Sequence, residues 1–488
     1  MRNALFLASL LVLIVAACGD DDSYTSPAPQ AADAIDVVTV GPITGFGSVI
    51  SNGTVFGSDS ATVFVDGEPS TVGDLRVGMI VSIRGEIDIS SGTALASEIR
   101  FGVDVEGPIS SLDTTNRRFV VLGKTVVVDE LTVFDEAAFD TLAVGNVVRV
   151  SGQFRAQERI QATYVHRVAN EYQAGMHMHI KGEVDNLDIG TQTFSLGGQV
   201  CDFSGAALEL GGADLANGLY VEITSTTPMG DGDMTLDRIQ AKDRDRDRDH
   251  LCSSGCDFEL EGFVTTFVSA TEFEVDEQPV ITTETTEYVN GTVDALALDV
   301  KVKVDGTLDA DGILVADRIV FSLPSIYEFE ASLETFDASA GTVTLLGITV
   351  YTTEFTLFRD NTSAGSPAFG LDDLAVGDWL DVRAYLDNAG PEPFTFVATR
   401  IERDDPDDSV TLKAPVWAIN RPSITLLGIT ATSDQDTVFQ NAAHEVIDAD
   451  AFFDLVELGD IVRTEGTWDG AAISANKMFL RDCAEGCL

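Results

Sequence analysis

The chain has 488 residues, too many for one hydrophobic core, and its 44% hydrophobic and 8% aromatic content is enough to fill several. Lysine and arginine total 29 against 80 aspartates and glutamates, a net charge of −51. A field of that sign repels phosphate backbones, so nucleic acid is excluded as an expected partner.

At the N-terminus, Met1-Arg2-Asn3 is a short basic start, Ala4 to Val15 is apolar, and the segment closes on Val15-Ala16-Ala17-Cys18. An apolar run this short, with small residues before the cut, reads as a signal peptide over 1–17 and not as a membrane span. The closing four residues resemble the lipobox of bacterial lipoproteins. That resemblance implies cleavage before Cys18, a diacylglyceryl thioether on its sulfur and an acyl chain on its new amine, and two or more chains anchor a protein stably. Gly19 stands where such lipoproteins carry an aspartate for inner-membrane retention, so the expected location is the outer membrane, facing the periplasm or the cell surface. Residues 18–39, with Asp20-Asp21-Asp22 and then Ser, Thr, Pro and Gln, are expected to form a flexible tether.

From there a seven-residue phrase recurs six times, anchored at Gly78/Gly85, Gly145/Gly152, Gly218/Ser225, Asp299/Gly306, Gly377/Ala384 and Gly459/Gly466. The third and fifth positions after the first anchor are apolar in every copy but one, Thr464. The fourth is Ser82, Arg149, Glu222, Lys303, Asp381 or Arg463, and this alternation predicts a strand with one face in a core and one in water. Each copy ends in a second phrase with an apolar first and fourth position, such as Ala162-Thr163-Tyr164-Val165 or Ala475-Asn476-Lys477-Met478, read as a closing strand. Glycine-turn hairpins precede the anchors, as at Phe119-Val120-Val121-Leu122-Gly123, followed by Thr-x-Phe phrases at Thr132, Thr356 and Thr437. Short helical turns are expected at 135–142 and 449–458.

These signals predict an all-β chain of about six tandem small antiparallel β-barrels, since closure removes exposed edges in modules too small for a sandwich. The modules fall at 40–102, 103–169, 170–243, 258–322, 323–403 and 404–482, with a charged, cysteine-containing linker at 244–257 and a cysteine-containing tail at 483–488. Five strands with a short helix before a late strand would resemble an oligonucleotide/oligosaccharide-binding barrel. The anchored phrases together resemble an uncharacterised repeat domain that recurs in tandem in bacterial exported lipoproteins. Ser225 and Asp299 depart from its glycine anchors. The resemblance implies architecture and compartment, and no activity.

Candidate chemistry is sparse. In Met176-His177-Met178-His179 the alternate residues of a strand would put both imidazoles on one face, a pair suited to copper, zinc or nickel. In an exported chain Cys252 with Cys256 and Cys483 with Cys487 are candidate short-loop disulfides, Cys201 being an alternative partner for Cys252 or Cys256. The Asp-Gly pairs fit turn chemistry, and no EF-hand loop, phosphate-cradling glycine loop or nucleophile elbow is present. The expected role is a non-enzymatic binding or structural scaffold of the cell envelope, with an envelope protein, a polysaccharide or a cation as partner and no cofactor beyond the lipid on Cys18. The alternatives are an envelope protein that binds a cation, calcium or a transition metal, and, third, a carbohydrate-active enzyme or sugar-binding protein. Modules joined by flexible links would give proteolytic fragments one module long.

Overall fold

The computed structural model describes residues 34–481 except 47, 89–92, 130, 228–231, 243–254, 324, 354–355, 364–368, 388–394 and 444. The chain is all-β, built from small closed barrels of one strand order. In the second module the first strand, Val105–Asp113, pairs antiparallel with the second, Arg118–Val121, which pairs with the third, Lys124–Val127. The third runs parallel to the fifth, Arg159–Ala169, and the fourth, Val147–Arg155, closes the barrel between the fifth and the first. A side strand, Val133–Asp135, lies parallel along the fifth. The same order, first-second-third-fifth-fourth, recurs in all six modules, in the third with its first and last strands each broken in two and in the fifth with its first strand broken in two.

The first anchor of the repeated phrase is the third residue of a tight turn. In the second module Asn146 N–H donates to Ala143 O at 3.1 Å, and Gly145 between them has φ +94°. All six anchors are left-handed, Asp299 included at φ +65°, which is why glycine dominates there. The turn is then bonded to the bend of the first strand: Gly145 N–H donates to Ile109 O and Ile109 N–H to Asn146 O, both at 2.8 Å. The second anchor sits opposite a β-bulge. Ser151 pairs with Tyr164 but Gly152 with Ala162, leaving Thr163 as the extra residue. A Cβ on Gly152 would lie 2.3 Å from Gln161 O.

The Thr-x-Phe phrases, and Thr286-Glu287-Tyr288 in the fourth module, close this corner. Thr132, Thr286, Thr356 and Thr437 each donate their hydroxyl at 2.7 Å to the carbonyl of the small residue beside the bulge, Ala162, Ala316, Ala398 or Ala475. Each hydroxyl also accepts the backbone N–H three residues before it. Ala61 and Ala206 hold the corresponding place in the first and third modules. Replacing Thr437 by valine keeps the shape but takes the donor from the buried Ala475 carbonyl and the acceptor from the Asp434 N–H, so urea unfolding is expected to show a loss of about 2 kcal/mol. An unchanged midpoint would mean the hydroxyl contributes nothing.

The barrels are not strung like beads. First strands pair with one another, parallel between modules one and four (Val37–Val40 against Asp257–Leu260) and antiparallel between two and three and between five and six. One hydrophobic cluster runs through modules five and six and another through two and three. Val38, Val40 and Ile80 of the first barrel enter the core of the fourth, and Val133, Tyr164 and Leu357 from modules two and five pack on the core of the first. This overturns the expectation of modules joined by flexible links. It also moves a boundary: the first strand starts at Ala34, inside the stretch read as tether, because its leading half is needed for the seam with module four. Of the expected helical turns, Ala449–Leu455 is an α-helix capped by Asp448, while 135–142 holds only the 3-10 turn Phe139–Thr141.

Candidate functional site

The polar chemistry of the molecule gathers where first strands meet. In the seam between modules five and six Glu328 is 1% exposed. Its carboxylate pairs with Arg383 Nη1 at 2.7 Å and Arg463 Nε at 3.1 Å, one guanidinium from the fourth strand of each barrel. Two residues on, Glu330 accepts from Thr411 Oγ1 at 2.8 Å and from Trp379 Nε1 at 3.3 Å. Asp381 pairs with Arg383 at 3.1 Å, Glu402 with Arg400 at 3.0 Å, and Glu465 with Arg463 and Lys477. Burial, with Glu402 beside it, pushes the Asp404 carboxyl up to about 6.

The seam between modules two and three has the same register. Glu106 faces His179 as Glu330 faces Thr411. Arg149 Nε lies 3.0 Å from Glu106 and also pairs with Asp66 of the first module. His179 Nε2 lies 3.4 Å from Glu222, and Arg238 and Lys242 each approach that carboxylate to 3.6 Å. Burial pushes Glu106 up, Arg149 only partly offsetting it. For Glu222 burial also pushes upward, but the hydrogen bond and charge of His179, with Lys181 and Lys242, hold it well below the usual carboxylate range. In the parallel seam Thr39 Oγ1 donates to Glu259 at 3.1 Å, and Lys303 Nζ lies 3.2 Å from Asp305.

The fourth position of the repeated phrase therefore does not face water as the alternation implied. Arg149, Glu222, Lys303 and Asp381 lie in ion pairs within their own barrels beside the seams, and Arg463 pairs with Glu328 across the seam of modules five and six. The signal was present as charge in every copy but Ser82, unreadable without knowing which strands meet. Asp299, the odd anchor, shows the same logic between modules two and four: its carboxylate accepts from Arg155 Nε at 3.2 Å, Ala156 N–H at 3.1 Å and Arg159. Aspartate tolerates the left-handed turn and adds a docking point that glycine lacks.

Of the predicted site residues, Met178 enters the core and His179 the outer face, as alternation implied, while His177 is exposed. The metal reading of His177 and His179 finds no third ligand: among the described residues no group of three His, Cys, Asp or Glu side chains is placed to hold an ion. The imidazole of His179 is occupied by Glu222 instead. Cys201 is a free, buried thiol, which corrects its reading as an alternative disulfide partner; it points into the core of the third barrel. Cys256 is disulfide-bonded, and Cys18, Cys252, Cys483 and Cys487 lie outside the described residues. Burial, with Asp233 nearby, pushes the Cys201 thiol up to about 12. A maleimide is therefore expected not to label Cys201 until the chain is unfolded, mass spectrometry of the 201 peptide being the check. Among the described residues no helix is long and apolar enough to cross a membrane.

Residues 35–100, 106–166, 261–320, 333–402 and 413–477, more than half of the chain, match one family model, described as Domain of unknown function (DUF5666). The third module is not among the matched stretches, although its strand order is that of the others. No curated protein matches the chain.

Proposed function

This chain belongs to the DUF5666 family, and on that premise we propose that it is an outer-membrane lipoprotein, held by lipid on Cys18, whose barrels form a non-enzymatic scaffold or binding module of the cell envelope. The observation that supports this reading is that the first strand of every barrel is paired with that of another, and the charges along those seams are tied to one another in ion pairs. Of these pairs Arg463 with Glu328 crosses from one barrel to the next, and removing one partner of such a buried pair is costly. The surface so assembled suits an extended contact with an envelope protein or polysaccharide, where several weak contacts add. Two measurements test the reading. Cys18→Ala should move the protein from the outer-membrane fraction to the soluble one, and a variant still sedimenting with membranes after a high-salt wash would sink the anchoring. Limited proteolysis of residues 19–488 should leave fragments of two or more barrels, and a ladder of single-barrel fragments would sink the joined scaffold.

A further inference from the structure

The ladder between the first strands of modules one and four stops at Val40 and Leu260, although both strands run on, to Gly45 and Ser269. Three modules converge on that end. From the first, Asn52 Nδ2 donates to Val40 O at 2.9 Å, and its own carbonyl accepts from Lys303 Nζ of the fourth at 3.0 Å. Lys303 stands directly across the ladder from Glu261. From the second, Gln153 Nε2 donates to Glu261 O at 3.0 Å and Oε1 at 3.3 Å, and Gln161 stands directly across from Gln153.

Among the described residues three amide atoms at this junction have no hydrogen-bond partner: Asn52 Oδ1, Gln153 Oε1 and Gln161 Nε2, in side chains whose residues are 1%, 1% and 5% exposed. Exchanging the N and O ends of the amides does not help. Nδ2 of Asn52 is fixed by Val40 O, Nε2 of Gln153 by the carbonyl and carboxylate of Glu261, and Oε1 of Gln161 by Arg155 Nη1 at 3.2 Å. Flipping any of them would set like against like. Each orphan is the atom left over once its neighbour has made the bond that orients the amide. Left uncompensated, such groups are costly, and natural proteins satisfy nearly all of them.

We propose that the end of this ladder, covered by the second barrel, is a built site for ordered water bridging Asn52, Gln153 and Gln161. Two orphans accept and one donates, which a short chain of waters satisfies from both sides. A cation would face the ammonium groups of Lys303 and of Lys301, the latter 2.6 Å from Glu261, and an anion would face two amide oxygens. Water has neither conflict. The joint of modules one, two and four is then hydrogen-bonded through solvent as well as through side chains.

The test is a crystal structure of the intact soluble chain, residues 19–488, at a resolution that shows ordered water. Density within hydrogen-bonding distance of at least two of the three atoms is the expected result. A dry junction, with the amides turned onto one another, would overturn the proposal. In Gln161→Leu the peak beside residue 161 should disappear while those beside Asn52 and Gln153 remain. An unchanged peak there would remove Gln161 from the site and overturn the three-residue bridge.

Discussion

Replacing Glu328 by alanine is expected to lower the unfolding free energy by about 3–5 kcal/mol, the scale for removing one partner of a buried charge group. Two guanidiniums, Arg383 and Arg463, lose the same carboxylate, and they come from different barrels. Their side chains are 12% and 20% exposed, so water can restore little of what is lost. The matched control is Asp454→Ala, which removes the ion pair with Arg421 on the surface and should cost under about 1 kcal/mol. Denaturant unfolding of both variants decides the matter. Equal, small losses would mean the seam charges contribute no more than surface pairs.

Gly466→Val is the second large effect, about 3 kcal/mol or more, because it forces backbone to move. A Cβ at 466 would lie 2.1 Å from Ser474 O and 2.8 Å from the Cα of Ala475, both main-chain atoms opposite the bulge. No rotamer change relieves a clash with a carbonyl. Gly466→Ala should cost less, since Ala384 occupies the corresponding place in module five, with Ala398 across from it and Thr399 as the extra residue. Thermal unfolding of the two variants should therefore rank valine well below alanine, and equal midpoints would show that the bulge yields freely.

Much of the barrel was legible because its determinants are local. The anchor glycines mark left-handed turn positions, the second anchors mark a bulge where backbone meets backbone, and the closing phrases mark the strand that carries the extra residue. The Thr-x-Phe phrases were visible too, but not their role: that Thr132 reaches Ala162 follows from a parallel pairing thirty residues apart. The seams were not legible. Ala34–Gly45 is buried on both faces beyond its first three residues and so shows no alternation. Without that signal its first half falls into the stretch that composition assigns to the tether. Charges at the fourth phrase position looked solvated, because a polar side chain facing water and one facing another barrel give the same pattern. The partners of His179 were illegible for the same reason, since Glu106 and Glu222 come from other parts of the sequence.

The parallel seam also dictates an order of assembly. Val37 to Val40 leave the ribosome, and cross the inner membrane if exported as proposed, long before their partners Asp257 to Leu260 exist, with all of modules two and three in between. Pairs two–three and five–six can close as soon as their adjacent barrels are made. The first barrel has to wait, displaying an apolar strand edge that any other extended chain could occupy. The slow and aggregation-prone step in making this protein is thus expected to be the meeting of its first and fourth barrels, and a helper that shields strand edges during transit would act there.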